Sequence, residues 1–142
     1  MATTSTARTH WTGSLTEGSG TTELVTSGAA TFDMTWQKRA EAGSGTTNPE
    51  ELLGAALATC YSMALSHALS GAGTPPTSLD TTVAVTFVPG TGITGATITV
   101  VGAVPGIDAA TFTEFAEKTK SECPVSVALS GIEKTLEVSF TS

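Results

Sequence analysis

The chain has 142 residues, 39% of them hydrophobic and only 13% charged, with 13 acidic against 6 basic side chains and a net charge of −7. That is enough apolar matter for a core and too little charge for disorder, so one domain over 1–142 is expected, with residues 1–6 as an unstructured tail. Lys38-Arg39 is the longest basic run, and binding nucleic acid requires far more neutralisation of phosphate than that. Met1 to His10 has no apolar stretch of secretory type, and two cysteines are too few for a stapled extracellular scaffold. The expected setting is the cytoplasm.

Taken in chain order, His10 to Leu15 and Thr21 to Thr26 flank the turn-rich Glu17-Gly18-Ser19-Gly20 and read as a hairpin. Thr31 to Gln37 alternates, with Phe32, Met34 and Trp36 on one face, and predicts a third strand. The period then changes. Asn48-Pro49-Glu50-Glu51 has an N-cap residue, proline at the first helical position and two acids against the helix dipole. The helix should run to about Ser70. No formal charge occurs from Leu52 to Leu79, a length that could span a bilayer, but Gly54, Thr59, Ser62, Ser66, His67 and Ser70 dilute it. The better reading is a helix covered by protein, including a second chain, and not by lipid. Strands follow at Thr81–Val88 and Thr94–Ala103. A helix capped by Asp108 should reach about Lys120, a short helix opened by Cys123-Pro124 should stop near Gly131, and Ile132–Phe140 predicts a last strand. The order βββ-α-ββ-αα-β is that of an α+β domain with helices on one side of a sheet.

Chemistry narrows to the two thiols. Cys60 lies mid-helix, where the dipole gives it little and apolar neighbours would leave it inert without a cation; Arg39 is the best-placed base by sequence. Cys123 precedes Pro124 and occupies a helix N-cap, facing unpaired amides. By setting alone Cys123 is the more acidic thiol, although it reads equally well as a plain capping residue, and Cys60, buried in a helix, reads more readily as structural than as reactive. His67 is seven residues from Cys60 on the same helix face, too far along the axis for a direct hydrogen bond. Cys60, Cys123, His10 and His67 could supply a Cys2His2 zinc site, without the knuckle spacing that supports one. There is no P-loop, nucleotide-binding glycine fingerprint or nucleophile elbow.

Thr47-Asn-Pro-Glu-Glu-Leu-Leu-Gly-Ala-Ala-Leu-Ala-Thr-Cys60-Tyr-Ser-Met-Ala-Leu-Ser66, Val104-Pro-Gly-Ile-Asp108 and Cys123-Pro-Val-Ser126 resemble, in order and spacing, three segments of the OsmC/Ohr family. The resemblance runs from about Trp11 to Phe140 and is to the OsmC branch, because the N-terminal hairpin lacks the arginine of the Ohr branch. It implies an OsmC-like α+β fold, an antiparallel sheet wrapping long central helices in an intertwined homodimer. It also implies a thiol-dependent peroxidase of oxidative and osmotic stress defence that reduces organic hydroperoxides with no metal, haem or flavin. By position, Cys60 resembles the peroxidatic cysteine and Cys123 the resolving one, which reverses the ranking from setting alone. Arg39 resembles the arginine that activates thiolate and peroxide, and Glu50 the acid that orients it. A Cys60–Cys123 disulfide would follow, reopened by a dithiol reductant of lipoyl or thioredoxin-like type. Apolar neighbours such as Leu57, Tyr61 and Met63 would favour alkyl hydroperoxides. Thr46 and Glu122 depart from the family pattern. The alternative is a non-catalytic stress protein of the same fold that binds a fatty acyl ligand in the dimer cleft.

Overall fold

The computed structural model describes residues 1–41, 43 and 45–142, which divide into two compact units, Met1–Pro49 and Glu50–Ser142.

The first unit is an antiparallel meander of β1 (Arg8–Thr12), β2 (Ser19–Glu23) and β3 (Thr31–Met34), followed by the one-turn helix α1 (Trp36–Ala40). The β1–β2 connection closes where Gly18 N–H donates to the Ser14 carbonyl at 2.9 Å, setting Thr12 opposite Ser19. Thr6 and Thr26 exchange two hydrogen bonds, at 2.7 and 3.1 Å, so Thr6, the last residue of the expected tail, is tied to the meander. The third strand is shorter than the alternation suggests. Thr35 leaves it by accepting a hydrogen bond from Lys38 N–H at 3.3 Å, and this cap starts α1. Trp36, Lys38 and Arg39 therefore lie on a helix, and Trp36 and Gln37 leave the strand predicted over Thr31 to Gln37.

The second unit holds the core. Helix α2 (Pro49–Gly71, 23 residues) is about 34 Å long. It buries one stripe, Glu50, Gly54, Leu57, Tyr61, Leu65 and Leu69, while Ala55, Ala56, Thr59 and Met63 on the opposite side stay exposed. The helix is long and apolar enough to cross a membrane by length and composition. Its sidedness is that of a helix packed on protein along one stripe. Gly54 permits this packing: a Cβ there would meet the Val83 carbonyl at 3.0 Å. Strands β4 (Ser78–Val88) and β5 (Gly92–Ala103) pair antiparallel, and β6 (Glu133–Thr141) adds to β5 in parallel. This corrects the expectation of a purely antiparallel sheet. Helices α3 (Ala109–Glu122) and α4 (Pro124–Ala128) intervene between β5 and β6, and a crossover of this kind returns the chain in the same direction.

Helix α3 starts at Asp108, whose carboxylate accepts from Thr111 N–H at 2.8 Å, and turns Phe112, Ala116 and Thr119 inward. Phe112 packs over Gly102, where any Cβ would collide with its ring, and lies 5.5 Å from the Phe140 ring. With Leu57, Tyr61, Leu65 and Leu69 of α2, Ile98 and Val100 of β5, and Cys123, these residues form one contiguous cluster.

Candidate functional site

Cys60 lies midway along α2, on the flank of the buried stripe, half-buried and packed against the core cluster. Cys123 occupies a corner. It ends α3 by donating its N–H to the Thr119 carbonyl at 2.9 Å and begins α4 by accepting from Val127 N–H at 2.9 Å. Pro124 makes the corner obligatory, because a residue before proline is pushed out of the helical region; Cys123 has φ −58° and ψ 131°. Ser126, itself buried, donates its hydroxyl to the Lys120 carbonyl and ties the short α4 back onto the end of α3.

These two elements bring the thiols together. Both cysteines are free, and Cys60 lies near enough to Cys123 to raise the pKa of its thiol. Cys123 is 1% exposed. Burial pushes its thiol up, and the neighbouring Cys60 adds to the rise, while the Ser126 and Val125 amides pull more weakly the other way without forming a capping hydrogen bond. The expectation that the helix start favours a Cys123 thiolate is thus corrected. An amide can favour a thiolate only as far as its burial allows, and here burial is the larger effect.

Tyr61 is the neighbour whose polar role the sequence reading missed. Its ring is fully buried and its hydroxyl donates to the Ala116 carbonyl of α3 at 2.9 Å. Burial raises the phenol well above its ordinary value, with Glu117 and then Cys123 adding to it. The usable signal was position: four residues past Leu57 on the buried stripe, where a tyrosine requires a partner for its hydroxyl. Leu57 and Tyr61 are both fully buried, so of the three residues expected to favour alkyl substrates only Met63, 68% exposed, meets solvent.

Glu50 is 6% exposed in the first turn of α2, within the same unit as both thiols. Arg39 belongs to the first unit, in the last turn of α1. His67 is exposed and lines an open groove of about 550 Å³ with Met63, Pro76 and Leu79, and neither cysteine lines it. Among the described residues no three His, Cys, Asp or Glu side chains converge as a metal site. Two adjacent free thiols, one half-buried and one enclosed, can be oxidised to a disulfide and reduced again by exchange.

Residues 42–138 match the family described as OsmC-like protein. The chain is 43% identical over 136 residues to peroxiredoxin OsmC of Escherichia coli, covering 94% of each chain. Among solved structures, an organic hydroperoxide resistance protein OsmC from Legionella pneumophila superposes with a TM-score of 0.74 at 23% identity, covering 98% of each chain. An organic hydroperoxide resistance protein from Elizabethkingia anophelis superposes with a TM-score of 0.70 at 26% identity, covering 99% of this chain and 100% of that one.

Proposed function

The chain belongs to the OsmC-like family, and from that premise we propose that it is a cytoplasmic, thiol-dependent peroxidase that reduces organic hydroperoxides in stress defence. The observation that carries the reading is the pairing of the two free thiols, Cys60 half-buried and Cys123 enclosed beside it. Cys60, the thiol with access to solvent, attacks the distal oxygen of R–O–OH as the thiolate. The O–O bond breaks, the alcohol leaves, and Cys60 becomes a sulfenic acid. Cys123 then displaces the sulfenic oxygen as water and closes a Cys60–Cys123 disulfide. A lipoyl or thioredoxin-like dithiol reopens it by exchange.

Arg39 is assigned to activation of the thiolate and to the charge that develops on the peroxide oxygens, since a guanidinium offers fixed, paired donors that an ammonium lacks. Glu50 is assigned to holding that guanidinium; its burial at the head of α2 supports the role, because a buried carboxylate requires a charged or hydrogen-bonding partner. The working form is a homodimer in which Met1–Pro49 and Glu50–Ser142 act as one domain. The exposed Ala55, Ala56, Thr59 and Met63 side of α2 is the surface that a second copy would cover.

The test is thiol counting during reaction with cumene hydroperoxide. Wild type should lose both thiols and gain one intramolecular disulfide. Cys123→Ser should consume about one equivalent of peroxide and stop at a sulfenic acid trapped by dimedone, and Cys60→Ser should consume none. A reactive Cys60→Ser with an inert Cys123→Ser would reverse the assignment. Unreactive wild type would remove the peroxidase reading.

A further inference from the structure

The thiol reading leaves open what holds Cys123 close enough to meet Cys60 once the first sulfur has been oxidised. The corner that carries Cys123 is fixed by backbone bonds to Thr119 and Val127, and its sulfur makes no capping hydrogen bond. The inward residues of α3 and the corner, Phe112, Ala116, Thr119 and Cys123, fall on one helical stripe by their spacing of four, three and four. On α2, Tyr61 is the immediate neighbour of Cys60. Its hydroxyl reaches across to the Ala116 carbonyl at 2.9 Å, a buried bond from α2 onto that stripe. From Ala116 to Cys123 is two turns of α3, about 10 Å along the axis. Thr119 stands between them and takes the Cys123 N–H on its carbonyl.

We propose that Tyr61 is a positioning residue for the second half of the cycle: its hydroxyl, by holding α3 on α2 at Ala116, sets the reach of the Cys123 sulfur to the Cys60 sulfenic acid. The step it serves is Cys60–SOH plus Cys123–SH giving Cys60–S–S–Cys123 plus water. The S–O bond breaks, an S–S bond forms, the Cys60 sulfur is reduced and the Cys123 sulfur oxidised, and the Cys123 proton leaves with the hydroxyl. The proposal rests on the assignment of Cys60 and Cys123 above. It adds a residue with no redox chemistry of its own, whose contribution is geometric: small misplacements of a reacting group slow an otherwise unchanged step.

Tyr61→Phe removes one oxygen and keeps the ring. Stopped-flow mixing with cumene hydroperoxide should give sulfenic acid at close to the wild-type rate, followed by disulfide closure slowed at least about tenfold, with sulfenic acid accumulating. The same variant should show a Cys60–Cys123 disulfide that a glutathione redox buffer reduces more readily, again by about tenfold in the equilibrium constant, whether the disulfide was made with peroxide or with diamide. The diamide arm separates the two ideas. If wild type ignores peroxide but its diamide-made disulfide loosens in Tyr61→Phe, the peroxidase reading fails and the positioning role stands. Tyr61 is the single tyrosine of the chain, so incorporation of 3-fluorotyrosine gives an independent readout that needs no substitution. Its one fluorine resonance should shift on disulfide closure. A Tyr61→Phe protein that merely melts earlier, with closure rate and redox equilibrium within twofold of wild type, would overturn the proposal. An unmoved fluorine resonance would do the same.

Discussion

The two units bury their side chains very differently. No described residue of Met1–Pro49 is buried, and Trp11, Leu15 and Val25 stand open to solvent. The second unit contains the whole core cluster, from Leu57 to Cys123. The thiols therefore sit in packed, preorganised surroundings, whereas Arg39 is carried by a three-stranded meander and a five-residue helix with no core of their own. Three-stranded sheets gain independent stability from a covered hydrophobic face, and the described residues of the first unit bury none of their own. The lesson is that the two thiols and their proposed activator are held by parts of unequal burial, and each part should respond differently to substitution.

The largest expected effect follows from that contrast. Phe112→Ala removes a fully buried ring from the core and should cost about 3–5 kcal/mol in denaturant unfolding. Trp11→Ala alters a ring that is 39% exposed and should cost under about 1 kcal/mol in a single chain. If a second copy covers the meander, the Trp11→Ala cost should instead grow and depend on protein concentration, and sedimentation should show dissociation at lower dilution than wild type. Equal, concentration-independent costs for the two variants would erase the contrast.

A smaller effect tests the proposed activator. Arg39→Ala should lower peroxide reduction by at least about tenfold, close to 1.4 kcal/mol of transition-state stabilisation, and slow Cys60 alkylation at neutral pH in a Cys123→Ser background. Arg39→Lys should recover part of this, and Glu50→Gln should lose less than Arg39→Ala because the guanidinium remains present. Unchanged alkylation in Arg39→Ala would assign activation to another group, with Lys38 next to be examined.

What the sequence made legible follows the same division. Helix α2 was readable because Asn48-Pro49-Glu50-Glu51 writes its start in local chemistry, and α3 because Asp108 is a cap of the same kind. β4 and β5 were readable from their runs of valine, isoleucine and threonine. Helix α1 was not, since Trp36 and Gln37 continue the alternation of β3 and only the Thr35 hydroxyl decides against it. The parallel pairing of β6 was hidden because alternation marks which face is inward and not which way a neighbour runs. The environment of Cys123 was half legible. Pro124 announced the corner, but burial, which outweighs the amides there, depends on α2 and α3 packing together. For the same reason the Tyr61–Ala116 bond had no signature in sequence: a backbone carbonyl carries no side-chain mark.

The smallest expected effect lies at the start of α3, which carries the corner of Cys123. Asp108 accepts from Thr111 N–H, and that bond is the main reason its carboxyl is held below the usual carboxylate range. Because the folded value lies below the unfolded one, the stabilisation is complete above the ordinary carboxylate range and is lost as pH falls through the depressed value. Asp108→Ala should therefore melt slightly earlier than wild type at neutral pH, and the gap should close as pH falls through the depressed value of Asp108. Asp108→Asn sharpens the test, since asparagine keeps an acceptor of comparable capping strength but has no charge to lose. It should hold most of the neutral-pH stability, and its melting temperature should vary less with acidification than that of wild type. A gap between Asp108→Ala and wild type that stays constant down to that pH would mean the carboxylate charge contributes nothing at this cap. The start of α3 would then be held by Asp108 as an uncharged hydrogen-bond acceptor together with the packing of Phe112 over Gly102.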